Sequence, residues 1–178
     1  MKPLKQVAGA YMALSEGERQ LQEHRYDEAA ASCRRAMDLS WTIPSEEAFD
    51  HEGFDALCHA GLSAALSKTG NYPQSLASAE IALKYFNRRG ELRGSEGLQW
   101  IVSVISRATA FEKSGRTAEA LKGFQQAREM LIERGKLDES REQELLSEVE
   151  KQLRDTEGAH PPATTTKRGY KAWWEFWS

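Results

Sequence analysis

The sequence predicts an all-α fold: an α-solenoid of three helix hairpins with lengthened helices, finished by a C-terminal capping helix. Three observations predict it. One pattern recurs as Arg25-Tyr-Asp-Glu-Ala-Ala30, Asn71-Tyr-Pro-Gln-Ser-Leu76 and Arg116-Thr-Ala-Glu-Ala-Leu121, offset by 46 and then 45 residues. Small residues keep the same register, at Ala29, Ser75 and Ala120 and again at Ala36, Ala82 and Ala127. Gly70 and Gly115 stand two residues before Tyr72 and Thr117, where a helix must stop and reverse, and glycine takes a left-handed backbone there without steric cost. A single hairpin cannot cover its own apolar face, so neighbouring copies stack to complete a core.

Each element follows from local chemistry. In the first unit His24 replaces the turn glycine, an exchange expected to cost about 1 kcal/mol. Surplus residues fall between hairpins, at about Trp41–Glu52 and Asn87–Gly97, and are expected to lengthen the first helix of each hairpin and relax the connection. Pro44-Ser-Glu-Glu47 reads as a helix start, its acids complementing the positive end of the dipole, and Gly90 and Gly94 punctuate the second joint. Trp100-Ile-Val-Ser-Val-Ile105 has the composition of a strand, but its place one turn ahead of Ala108 and Phe111 in the repeat predicts helix. Beyond Gly135 a charged run reaches about Asp155 with Leu145, Leu146, Val149 and Leu153 on one stripe, the pattern of a terminal cap with one dry and one wet side.

This arrangement resembles the tetratricopeptide repeat (TPR). The marks are Gly17, Ser63 and Ala108 at the small position of the first helix, the Gly-x-Tyr-type turn, and the pairs Ala29/Ala36, Ser75/Ala82 and Ala120/Ala127 on the second helix. The resemblance covers about residues 10–135, although the period exceeds the usual value of about 34 residues. HEAT-like arrays have periods nearer this one but lack the turn signature. Glu46-Glu-Ala-Phe-Asp-His51, Gly53-Phe-Asp-Ala56 and Tyr85-Phe-Asn-Arg-Arg-Gly-Glu-Leu92 look like a small bacterial family of TPR-like single-domain proteins of unassigned function. The expected division is a helical-repeat domain over 1–156 and a Pro/Thr linker with a Trp-rich tail over 157–178.

Composition narrows the function. The chain has 178 residues, 40% hydrophobic and 29% charged, with a net charge of −3. Mean hydropathy is −0.65, and no apolar run approaches the roughly 20 residues that cross a bilayer. The charge offers no general attraction to nucleic acid. The apolar stretch Val7–Leu14 is short and runs into Ser15-Glu-Gly-Glu-Arg19, so it reads as helix and not as a signal peptide; a cytoplasmic protein is expected. Cys33 and Cys58 have neither metal-binding nor disulfide-scaffold spacing. His51, Asp55 and His59 share a helix face, yet the two histidines lie about 12 Å apart along the axis, too far to share one ion. No catalytic arrangement, metal site or cofactor is expected, and a non-enzymatic role follows.

The TPR resemblance implies a concave face lined by Tyr11, Leu14 and Glu18, then Leu57, Ala60 and Ala64, then Val102, Ile105 and Thr109. The Lys, Asn and Arg set of carboxylate-clamp members is missing, and the surface is largely apolar, which suits a peptide or amphipathic helix of another protein. A small acidic secretion-type chaperone is the second reading. Gly158-Ala-His-Pro-Pro-Ala-Thr-Thr-Thr166 has linker composition, and Tyr170, Trp173, Trp174, Phe176 and Trp177 then form an aromatic terminus beside Lys167, Arg168 and Lys171. Such anchors dock on a protein groove, in this chain's own copy or a second one, or make weak contact with a membrane surface as a peripheral adaptor.

Overall fold

The computed structural model describes residues 4–136 and 139–159. Within them lie seven helices and no strand: α1 (Leu4–Gln22), α2 (Tyr26–Ser40), α3 (His51–Lys68), α4 (Tyr72–Arg89), α5 (Gly97–Lys113), α6 (Thr117–Arg134) and α7 (Ser140–Ala159). Trp100–Ile105 sits inside α5, so the repeat register prevails over local β-propensity.

The three hairpin turns are built alike. Arg25 N–H donates to Gln20 O at 2.8 Å, Asn71 N–H to Leu66 O at 2.9 Å and Arg116 N–H to Phe111 O at 2.9 Å. The residue before each donor is left-handed: His24 at φ 60°, Gly70 at 81° and Gly115 at 77°. His24 thus holds the glycine conformation, and its ring Nδ1 lies 2.8 Å from the Tyr26 hydroxyl, a local contact that offsets part of the steric cost.

Small residues set the packing. Ala29, Ala36, Ser75, Ala82, Ala120 and Ala127 are all fully buried where the second helix of a hairpin meets its neighbours. The Ser75 hydroxyl donates to Ser63 O at 2.8 Å, so the one polar member of the series is satisfied across α3 and α4. Successive helices pack in chain order, and α3 also contacts α5, which stacks the first helices of the hairpins side by side. The core therefore follows the repeats, one cluster centred on Cys33, Phe54 and Leu62 and another on Ile101, Phe124 and Leu131, with Ala60, Ala82 and Phe86 between them.

The joints hold the surplus residues. The second hairpin alone occupies 51–89, longer than the about 34 residues of a whole ordinary repeat, so both of its helices are lengthened. Pro44–Glu47 is not a helix start. It forms a turn in which Glu47 N–H donates to Pro44 O at 3.1 Å, and α3 begins only at His51. Asp50 caps α3, accepting from Gly53 N–H at 2.9 Å, and the Tyr85 hydroxyl donates to the other Asp50 oxygen at 3.2 Å. In the second joint Arg134 Nη1 donates to both Leu92 O and Gly94 O at 2.8 Å, while its Nε meets Glu142 Oε1 at 3.3 Å. Gly97 is required here, because a Cβ would come within 1.7 Å of Leu92 O.

α7 buries Leu145 and Val149 against the third hairpin, with Leu146 and Leu153 partly covered. It continues to Ala159, past the domain boundary expected at 156, so Gly158 belongs to the helix and not to a linker. The aromatic terminus, with Tyr170, Trp173, Trp174, Phe176 and Trp177, lies outside the described residues.

Candidate functional site

The first helices of the hairpins form the inner face, and α7 supplies a further wall. Between α1, α3, α5 and α7 lies a cavity of about 330 Å³ near the hairpin turns. Leu21, Ala64, Val102, Ile105 and Leu145 give it apolar lining; Tyr26, Tyr72, Ser106 and Thr109 add hydroxyls. Lys68 of α3 and Glu148 of α7 pair across it, both partly solvated, so the pair orients side chains more than it stabilises the fold.

The nine residues assigned to the inner face divide. Ala64, Val102, Ile105 and Thr109 line the cavity. Leu14 is 5% exposed and Ala60 fully buried, both taken up by contacts between helices. Leu57 packs partly buried against the core. Tyr11 is half exposed and stacks edge-on against Phe54 at 5.0 Å and Phe49 at 6.1 Å, so it belongs to the first joint. Glu18 accepts from Gln99 Nε2 at 3.0 Å, a bridge from α1 to α5, and burial raises its pKa above the usual carboxylate range.

Sequence reasoning did not place the α7 wall or the contributions of Leu21, His24, Tyr26, Lys68 and Tyr72. One signal was available. α7 begins 43 residues after α5, nearly the repeat offset, which puts it in the position of a fourth first helix.

The histidines and cysteines sit elsewhere. His59 Nε2 lies 3.6 Å from Asp55 Oδ2; burial lowers the His59 pKa, and the Asp55 charge opposes that shift. His51 meets Phe49 edge-on at 4.8 Å. Among the described residues no three His, Cys, Asp or Glu side chains converge as metal ligands do. Cys33 and Cys58 are free and buried; burial pushes the Cys33 thiol up to about 12 and the Cys58 thiol up as well, which leaves little reactive thiolate at neutral pH.

The chain and its fold match known proteins. The family described as Domain of Unknown Function (DUF3856) matches residues 2–146. The chain belongs to this family. The crystal structure of a TPR-like protein from Chlorobium tepidum is similar to this DUF3856 chain at 51% identity and a TM-score of 0.81, over 87% of this chain and 98% of that one. The C-terminal TPR-containing domain of an FK506-binding protein from Plasmodium falciparum shares the fold at 17% identity and a TM-score of 0.54, over 89% and 97% of the two chains. No curated protein matches the chain. The DUF3856 chain is thus a TPR-like helical solenoid, and no helix among its described residues is long and apolar enough to cross a membrane.

Proposed function

We propose that this chain is a non-enzymatic protein-interaction module whose inner-face cavity holds an aromatic anchor from a peptide or amphipathic helix of another protein. The observation that carries this reading is the cavity itself, whose lining mixes apolar side chains with hydroxyls. Its volume lies near the lower end of the about 300–1,000 Å³ of ligand sites, room for one or two aromatic rings and not for a whole helix. An aromatic side chain buries about 150–250 Å², worth about 4–6 kcal/mol before the entropy of association is subtracted. One ring alone therefore gives weak binding, and hydrogen bonds to the lining hydroxyls or tethering must supply the rest. Polar groups of the lining favour binding over catalysis: Lys68 and Glu148 pair with each other, and His24 Nδ1 is engaged by the Tyr26 hydroxyl.

Ala64→Trp fills the cavity from its own wall, and affinity capture with intact and Ala64→Trp baits tests the reading. The intact bait enriches a partner that the substituted bait loses. Identical capture by both places the binding surface elsewhere.

A further inference from the structure

The last residue that α7 gives the cavity stands about two turns before the helix ends at Ala159. That residue is Gln152, and the Thr156 hydroxyl lies 3.3 Å from Glu112 Oε1, which ties this end of α7 to the end of α5. Residues 160–178 start immediately beyond and carry three of the five tryptophans of the chain. We propose that the aromatic terminus, through Trp173, Trp174 or Trp177, occupies the cavity of its own molecule and must be displaced before a partner binds. This inference rests on the cavity being an aromatic-binding site.

Distance permits it. The rise from Gln152 to Ala159 is about 10 Å, and neighbouring helix axes stand about 8–10 Å apart. Residues 160–173 span up to about 46 Å when extended, more than the return path needs. Charge favours it as well. Glu142, Glu144, Glu148 and Glu150 of α7 already pair with Arg134, Arg141, Lys68 and Arg128, so the exposed acids nearest the terminus are Asp155 and Glu157, whereas residues 160–178 carry Lys167, Arg168 and Lys171 against the single acid Glu175. The basic residues stand just ahead of the tryptophans in the sequence and complement those two acids, not the cavity lining, where Lys68, Lys113 and Arg141 outnumber Glu144 and Glu148. Tethering supplies what a single ring lacks: an effective concentration of about 1 mM against a Kd of about 0.1 mM keeps the cavity about tenfold more often filled than empty.

The test compares the intact chain with a full-length variant carrying Trp173→Ala, Trp174→Ala and Trp177→Ala. Amide exchange over Val102–Thr109 and Leu145–Gln152 should be about tenfold faster in the variant, unchanged over Ala29–Met37, and the difference should persist through about a hundredfold dilution. Equal exchange in the two chains overturns the proposal. A difference that vanishes on dilution, with a dimer mass at high concentration, overturns it in favour of a second copy. Tryptophan emission that shifts only on adding anionic vesicles overturns it in favour of lipid. A synthetic peptide of residues 167–178 separates this inference from the reading beneath it. Binding about tenfold tighter to the variant than to the intact chain supports self-occupation. Equal binding to both overturns self-occupation and leaves the cavity an aromatic site; binding to neither overturns self-occupation, and the Ala64→Trp capture then decides the cavity by itself.

Discussion

The two joints between hairpins do the same job with opposite chemistry. The first, 41–50, is held by apolar contact: Ile43 is 3% exposed in the core, Phe49 and Phe54 pack with Tyr11, and the one strong polar feature is the Asp50 cap. The second, 90–96, is held by a buried charge. Arg134 lies at the end of α6 and Glu142 in the first turn of α7, each at the helix end whose dipole favours its sign, and their side chains are 5% and 1% exposed. The same guanidinium holds the carbonyls of Leu92 and Gly94. Repetition of the hairpin therefore does not extend to its connections. The joint beside the capping helix depends on a buried ion pair that is only partly satisfied, since Glu142 Oε2 and Glu96 Oε2 are buried without a hydrogen-bond partner.

That contrast can be broken by substitution, starting with the charged joint. Arg134→Met leaves the Glu142 carboxylate buried without its cation and removes the donor to Leu92 O, while Gly94 O keeps its bond from Gly97 N–H, and it should cost about 3–5 kcal/mol in denaturant unfolding. Arg134→Met with Glu142→Leu should recover most of that loss, because the unpaired charge is gone; no recovery would refute the ion-pair account. Ile43→Ala in the apolar joint should cost about 2–4 kcal/mol, with no second substitution able to restore it by removing charge. Away from both joints, Ala127→Leu should cost about 1–3 kcal/mol by overpacking, and an unchanged melting temperature would mean that the repeat register is misplaced. His24→Gly should have the smallest effect and the opposite sign, a gain of about 0.5–1 kcal/mol as the left-handed turn loses its steric penalty.

The contrast also marks what a reader of the sequence can see. The hairpins were legible because Gly70, Gly115 and the small-residue pairs are local signals repeated at a fixed interval, and that interval identifies α5 as helix despite Trp100–Ile105. The joints were not. Pro and acidic residues at 44–47 serve a turn as well as a helix start, and nothing nearby reveals that Asp50 caps α3 or that Ile43 is buried. Arg134 acts across 40 and 42 residues on Gly94 and Leu92, a relation with no sequence spacing of its own. The candidate cavity was legible only in part. Ala64, Val102, Ile105 and Thr109 follow from the register, whereas Leu14 and Ala60 are consumed by helix packing whose closeness only the assembled solenoid fixes.

Methyl resonances of Val102, Ile105, Leu145 and Ile43, followed as N-acetyltryptophanamide is added to the full-length chain carrying Trp173→Ala, Trp174→Ala and Trp177→Ala, test the aromatic cavity most directly. The account predicts saturable shifts at Val102, Ile105 and Leu145 while Ile43 of the first joint stays still. Shifts at none of them, or equal shifts at all four, would contradict it.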